Sequence, residues 1–362
     1  VAGLPDTTMI RRTSDDAWLL ITQTEHARIA AELAAAWGND RFPPLPLPEW
    51  LLPAIRHHDD GWTLWDSSPQ IDPETGQPRD FTEMPMAEST AIWTRSIEIC
   101  SHAIGRPASG SECLKRLGNW LEQQHRSLTR SHEQVLALFL EATEPLSEES
   151  LPEMRPEADG DSNAVPDAAA LLDDLLQAGV IAPNMPSDAT RFTLAEDLLA
   201  PSPLGGLWVS GHFCDLASRA RENRTSSEDL AAIDHFLDEQ AALQAEWRRQ
   251  LAARMPDDEL APLIELGLRY VQRFDHLSLW LCCAERDKPF ELAFPGAGQI
   301  HFVPLFDGQV VVDPWPFAAD RLELTVAPAP VPPLPCRDDR ELHERIADAP
   351  AAVLRWVLMS GQ

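Results

Sequence analysis

Apolar residues recur at helical spacing through most of the chain up to about residue 290, and the alternating or β-branched runs that mark strands gather behind that point. A short apolar run over 18–23 leads into a helix predicted over 24–37 and stopped by Gly38. A second helix starts near Pro48 and ends at Gly61. From Trp62 to Pro85, Pro, Asp, Gly and Ser replace the periodicity, which predicts a long irregular connection of the kind that often carries function. Helices are predicted next over 87–104, 111–125 and 131–142. An acidic, Pro/Ser-rich linker follows over 144–167, then a small helix over 167–178. Long helices are expected over 202–221, 226–254 and 257–286, the last two suited to pack as antiparallel neighbours.

Behind them, runs over 290–294, 299–305, 309–312 and 322–326 alternate with Gly, Pro and Asp turns and predict a small antiparallel sheet. A Pro-rich extended stretch over 328–335 and a final helix over 340–359 complete the pattern. The expected fold is therefore mainly α, in four stretches. These are a helical part over 9–105, an insertion over 106–200, a second helical part over 201–288, and a sheet with a closing helix over 289–362.

Composition narrows the function classes. Of 362 residues, 44% are apolar, enough for a sizeable core, while 29 basic against 58 acidic residues leave a net charge of −29. Such a field repels phosphate backbones and anionic membrane surfaces, so neither nucleic acid nor membrane is an expected partner. Six cysteines lie scattered without a C-x-x-C pair and read as small core hydrophobes rather than as a disulfide framework or thiolate zinc site. With no signal-like segment at the start and no apolar run near membrane-spanning length, the expected location is the cytoplasm.

Chemistry enters through polar residues on apolar helix faces. His26 shares a face with Ile29, Ala30, Leu33 and Trp37, and His58 shares one with Leu51, Ala54, Ile55 and Trp62, with Asp59 beside it. His212 follows Trp208 and Val209 and precedes Leu216, and Asp275 falls among Ile264, Leu268, Val271, Leu279 and Cys282. A lone buried histidine is an ordinary core residue, but a carboxylate on an apolar stripe without Lys or Arg must be protonated, paired or metal-bound. Four inward faces carrying imidazole or carboxylate predict a site for one or two divalent ions, with iron, manganese, zinc, cobalt and magnesium the compatible metals. His235 lies on a polar face and is expected in solvent, and His57 and His276 sit on faces with charged neighbours.

The order His26, His58-Asp59, Asp275 resembles the H…HD…D signature of the HD-domain metal-dependent phosphohydrolase superfamily. More closely, Ile21-Thr-Gln-Thr-Glu-His26-Ala, His58-Asp-Asp-Gly-Trp62, Gly76-x-Pro78-x-Asp80-Phe81, Ser210-Gly-His212-Phe213 and Phe274-Asp275-x-Leu-Ser-Leu279 resemble a bacterial family of HD-like proteins of unknown function. The resemblance implies an HD-like helical bundle in which His26, His58, Asp59 and Asp275 hold one ion. It also implies that Asp59 bridges if a second ion binds, and that His212 serves that ion or the substrate. Two-metal oxygenases of the superfamily add two further histidines, and here His212 alone fits.

Around these ligands, Asp60 and His57 are candidates for catalytic support or for orienting a ligand imidazole. Trp62, Trp65, Asp66, Arg79, Asp80 and Phe81 are candidates to wall a substrate pocket, with Arg28 and Arg56 placed to meet an anionic group. The expected activity is metal-assisted hydrolysis of a small-molecule phosphate ester of unspecified identity. An iron oxygenase on the same scaffold and a non-catalytic small-molecule sensor are the two rivals.

Overall fold

The computed structural model describes residues 9–14, 16–103, 110–142, 146–147, 168–185, 188–194, 202–253, 255–283 and 288–361. In chain order come β1 (Ile10–Thr13), β2 (Trp18–Ile21), α1 (Gln23–Ala35), α2 (Pro48–His57), a one-turn α3 (Thr63–Asp66) and α4 (Met86–Ala103). Next are α5 (Gly110–Gln123), α6 (Arg130–Glu141), β3 (Leu146–Ser147), α7 (Ala168–Gln177), β4 (Ile181–Met185) and β5 (Asp188–Leu194). The long helices α8 (Pro203–Asn223), α9 (Ser227–Ala252) and α10 (Asp257–Cys282) follow. Then come β6 (Phe290–Phe294), β7 (Gly298–Pro304), β8 (Gln309–Asp313), β9 (Arg321–Val326), β10 (Ala329–Val331), α11 (Asp339–Ala347) and β11 (Leu354–Ser360).

Two compact units result, one drawn from Val1–Ser101 with Pro203–Gln362 and the other from His102–Ser202. The second unit packs α5, α6 and α7 around Leu117, Leu121, Val135, Leu136 and Leu175 and carries the small sheet β3-β5-β4. Apart from Leu146 and Ser147, the predicted acidic linker over 144–167 lies outside the described residues.

In the first unit α1 packs against α2 and α10, and α8 packs against α9 and α10. Trp37 at the end of α1 collects Tyr270 and Phe274 of α10, Phe294 of β6 and Phe317 at ring separations of 4.4–6.3 Å, tying the bundle to the sheet. Two glycines permit close approaches that any side chain would block. A Cβ on Gly267 would lie 2.2 Å from Trp208 Cε2, and one on Gly61 would lie 2.3 Å from Ile92 O. The second explains the Gly in His58-Asp-Asp-Gly-Trp62, because the backbone there runs directly against α4, with Gly61 N donating to Ser96 Oγ at 3.0 Å.

The C-terminal region corrects two expectations. The five-stranded sheet has the order β6-β7-β8-β11-β9, and β11 runs parallel to β8, so the sheet is mixed rather than purely antiparallel. The helix predicted over 340–359 is split: α11 ends at Ala347, and Pro350, which cannot donate to a continuing helix, precedes β11. Inserting β11 between β8 and β9 buries Trp356 and Leu358, a gain in apolar burial that overrides the helical spacing seen in the sequence. The connection over 62–85 is also less irregular than expected. It holds α3, a 3-10 turn at Phe81–Glu83 capped by Asp80, and bridges Ile71 to Pro78 and Met9 to Asp80. Among the described residues no helix is long and apolar enough to cross a membrane.

Candidate metal centre

Each site residue is placed by a local feature of its own element. Thr22 caps α1 by accepting from Glu25 N, and Asp66 Oδ2 accepts from Gln23 N at 2.9 Å, which fixes the first turn and directs His26 inward. The helix α2 ends at His57; His58 keeps helical angles as its C-cap, φ −58° and ψ −24°, and Asp59 leaves them, with φ −112° and ψ 16°, before a 3-10 turn at Asp60–Trp62. Neighbours on an unbroken helix diverge by about 100°. The break lets both side chains reach one point, where α10 delivers Asp275 and α8 delivers His212.

Ligand atoms of His26, His58, Asp59 and Asp275 lie within 4.8 Å of one another. His26 Nε2 is 2.6 Å from Asp59 Oδ2, and His58 Nε2 is 3.2 Å from Asp275 Oδ1 and 3.5 Å from Asp59 Oδ2. All four residues are buried, the two histidines completely. His212 is buried beside them, with Nε2 3.7 Å from Asp275 Oδ2 and a buried Nδ1 without a hydrogen-bond partner.

The second nitrogen of each imidazole fixes what the first can do. His58 Nδ1 lies 2.7 Å from the Ile55 carbonyl, which can only accept, so Nδ1 carries the proton. Ser278 Oγ donates its proton to the Asp275 main-chain oxygen at 2.9 Å, which leaves the Ser278 hydroxyl oxygen to accept the Nδ1 proton of His26 at 3.1 Å. In their neutral forms both histidines therefore aim a lone pair at a carboxylate oxygen, acceptor against acceptor. That arrangement demands a positive charge at the centre, supplied by protonating the rings or by a cation.

The charge balance agrees. Burial disfavours the His58 imidazolium, yet Asp59 and Asp275 outweigh it and raise its pKa to about 9. For Asp275 burial favours the neutral acid, but the hydrogen bond from His58 and the charges of His212, His58 and His26 hold it well below the ordinary carboxylate range. His212 is lowered, chiefly by burial. Two carboxylates and neutral imidazoles with orienting partners on Nδ1 fit a divalent ion, which cancels the two negative charges and accepts the Nε2 lone pairs.

A cavity of about 250 Å³ opens onto His26, Asp59, His212 and Asp275. Of the residues predicted to wall a pocket, Trp62 and Phe81 line it. Trp65 instead packs against the Trp62, Met84 and Ile92 cluster. Asp66 is spent on the start of α1, where burial pushes its carboxyl well above the ordinary range. Asp80 Oδ2 accepts from Arg11 N, and its Oδ1 caps Thr82 N. Arg28 is held by Glu25, Glu32 and the Thr325 carbonyl, and neither Arg56 nor Arg79 lines the cavity. His57 and Asp60 pair with each other at 2.7 Å, Nδ1 to Oδ2, outside the cavity lining. His235 and His276 are exposed.

Sequence reasoning passed over Ser278 and Ile55, which set the ring orientations, and Gln23, Met84, Met86 and Trp93, which complete the cavity. Ser278 stands one turn beyond Asp275 and Gln23 one turn before His26, so helical spacing alone could have nominated both. No curated protein and no solved structure matches the chain. A family does match, over residues 9–103 and 190–332, covering α1, α2, α8 and α10 with all five residues of the centre. The chain belongs to this family, described as "Protein of unknown function (DUF3891)".

Proposed function

We propose that the first unit is an HD-type bundle and that the protein is a metal-dependent hydrolase acting on a phosphate ester. The observation that carries this reading is the pair of buried imidazoles whose Nδ1 protons are already committed and whose Nε2 atoms face two carboxylates. His26, His58, Asp59 and Asp275 would hold a divalent ion, with His212 available to a second ion or to the substrate. A divalent ion bound there supplies a water acidified toward neutral pH and polarises a phosphoryl oxygen. Ser278 and the Ile55 carbonyl keep the two rings in the tautomer that offers Nε2, and Trp62 and Phe81 line the open side. Asp59 and Asp275 both line the cavity, and either carboxylate could accept a proton from a water there.

The test is elemental analysis of protein purified without chelator or affinity metal, followed by phosphate-release assays on mono- and diesters with the metal found. Bound transition metal or magnesium together with phosphate release, both lost in Asp59→Ala, is the expected result. Metal-free protein that takes up no added ion would overturn the reading. Oxygen consumption in place of phosphate release would transfer the same centre to the iron-oxygenase class.

A further inference from the structure

The cavity beside the proposed metal centre is too apolar and too small to serve a polyphosphate. Trp62, Phe81, Met84, Met86, Trp93 and Phe213 are among the residues of its wall, and its volume of about 250 Å³ lies below the roughly 300–1,000 Å³ usual for drug-sized ligands. Among the described residues its lining contains one Arg or Lys, Arg224, and that guanidinium is already engaged by the Met84 carbonyl at 3.3 Å and Asp229 at 3.6 Å. A di- or triphosphate needs several such groups, whereas a single anionic group needs only the cation of the centre. Gln23 supplies a second, independent observation. It lines the same cavity at 1% exposure, and its side-chain Nε2 is buried without a hydrogen-bond partner. An unmet buried amide donor costs stability, and the cost is recovered when a ligand oxygen accepts from it.

Resting on the function proposed above, we infer that the substrate is a small phosphate monoester, with one anionic group, whose apolar, ring-sized group occupies this cavity, with Gln23 donating to an oxygen next to that group. The flanking methionines adapt to a flat ring, and the aromatic walls favour one. Gln23 thereby acts as a specificity and positioning residue.

Phenylphosphonate and methylphosphonate share the anionic head and differ in the ring, so they probe the inference without turnover. Binding is read from the fluorescence of Trp62 and Trp93 and by calorimetry, on protein whose metal content is measured in the same sample. Phenylphosphonate is expected to bind at least about tenfold more tightly than methylphosphonate. Gln23→Leu is expected to weaken both phosphonates about tenfold with metal content and melting temperature preserved. Ser89→Leu, which adds bulk to the cavity wall, is expected to erase the preference for the ring with metal content unchanged. Equal affinities for the two phosphonates in metal-loaded protein, or a ring preference untouched by Ser89→Leu, would overturn the inference and leave the metal centre standing. Absence of metal would overturn the proposed function instead. In that case benzyl alcohol against methanol, read on the same tryptophans, tests the ring site alone, and no difference between them would overturn it.

Discussion

Two buried histidine–aspartate clusters occupy the two units, and they differ in the direction of one proton. In the second unit Thr129 N donates to His132 Nδ1 at 3.2 Å, so that nitrogen is an acceptor and Nε2 carries the proton toward Asp174 Oδ2 at 3.0 Å. Arg126 then closes on the same carboxylate with two bonds of 2.5 Å. Every strong group there is satisfied and the charges cancel, so the cluster is a closed tie between the start of α6 and α7. At the centre in the first unit the main-chain oxygens of Ile55 and, through Ser278, Asp275 draw the proton to Nδ1. The Nε2 lone pairs are left facing carboxylates, and among the described residues no Arg or Lys pairs with those carboxylates. Residue type is the same in both places. The backbone acceptor or donor beside Nδ1 separates a structural pair from a cluster that could hold a cation.

That contrast can be broken first at the carboxylates. Asp59→Ala or Asp275→Ala is expected to abolish metal binding, read by elemental mass spectrometry on protein shown by circular dichroism to be folded. The corresponding change in the second unit, Asp174→Asn, is expected to leave metal content untouched. Next in size, Ser278→Ala frees the His26 ring and is expected to lower metal affinity about 10- to 100-fold, measured by competition with a chelating dye.

Asp174→Asn is expected to cost about 1–3 kcal/mol within the second unit, a range reduced because Arg126 is half-exposed. Hydrogen exchange over α5 to α7 reads it. Burial pushes the Asp174 carboxyl up, but Arg126 and His132 more than reverse this and leave it lowered. Its stabilisation is therefore present above the ordinary carboxylate range and lost as pH falls through the lowered value.

The chelated first unit should show the opposite slope. His58 is raised from 6.5 to about 9, so the stabilisation from its charged form is complete below pH 6.5 and fades as pH rises through about 9. Melting temperatures of chelated protein across that window test the sign, and metal-loaded protein should instead lose its ion in acid as the imidazoles protonate. The smallest effect is expected at the exposed His276, where Ala should change stability by under about 0.5 kcal/mol and leave the metal in place.

Much of the centre was legible because long helices keep strict periodicity. His26, His212 and Asp275 stand on apolar stripes, and burial follows from the stripe. Asp59 was reachable only through its neighbour His58, since a helix would have turned it away. The wall residues were harder. Trp62 and Phe81 face the cavity while Trp65, Asp80 and Arg28 are taken by local partners, and nothing in an irregular segment's composition says which aromatic points where.

The sequence by itself determined that helices dominate and that imidazoles and carboxylates lie on buried faces. Periodicity and charge are local properties, readable wherever an element is long enough to repeat. Only the tertiary structure decided that β11 would enter the sheet between β8 and β9 and parallel to β8. It alone decided that a main-chain carbonyl and a serine from two different helices would fix the protons on two histidines. Those outcomes depend on which groups meet across the chain, at separations of up to 252 residues, and hydrogen-bond direction exists only once both partners are in place.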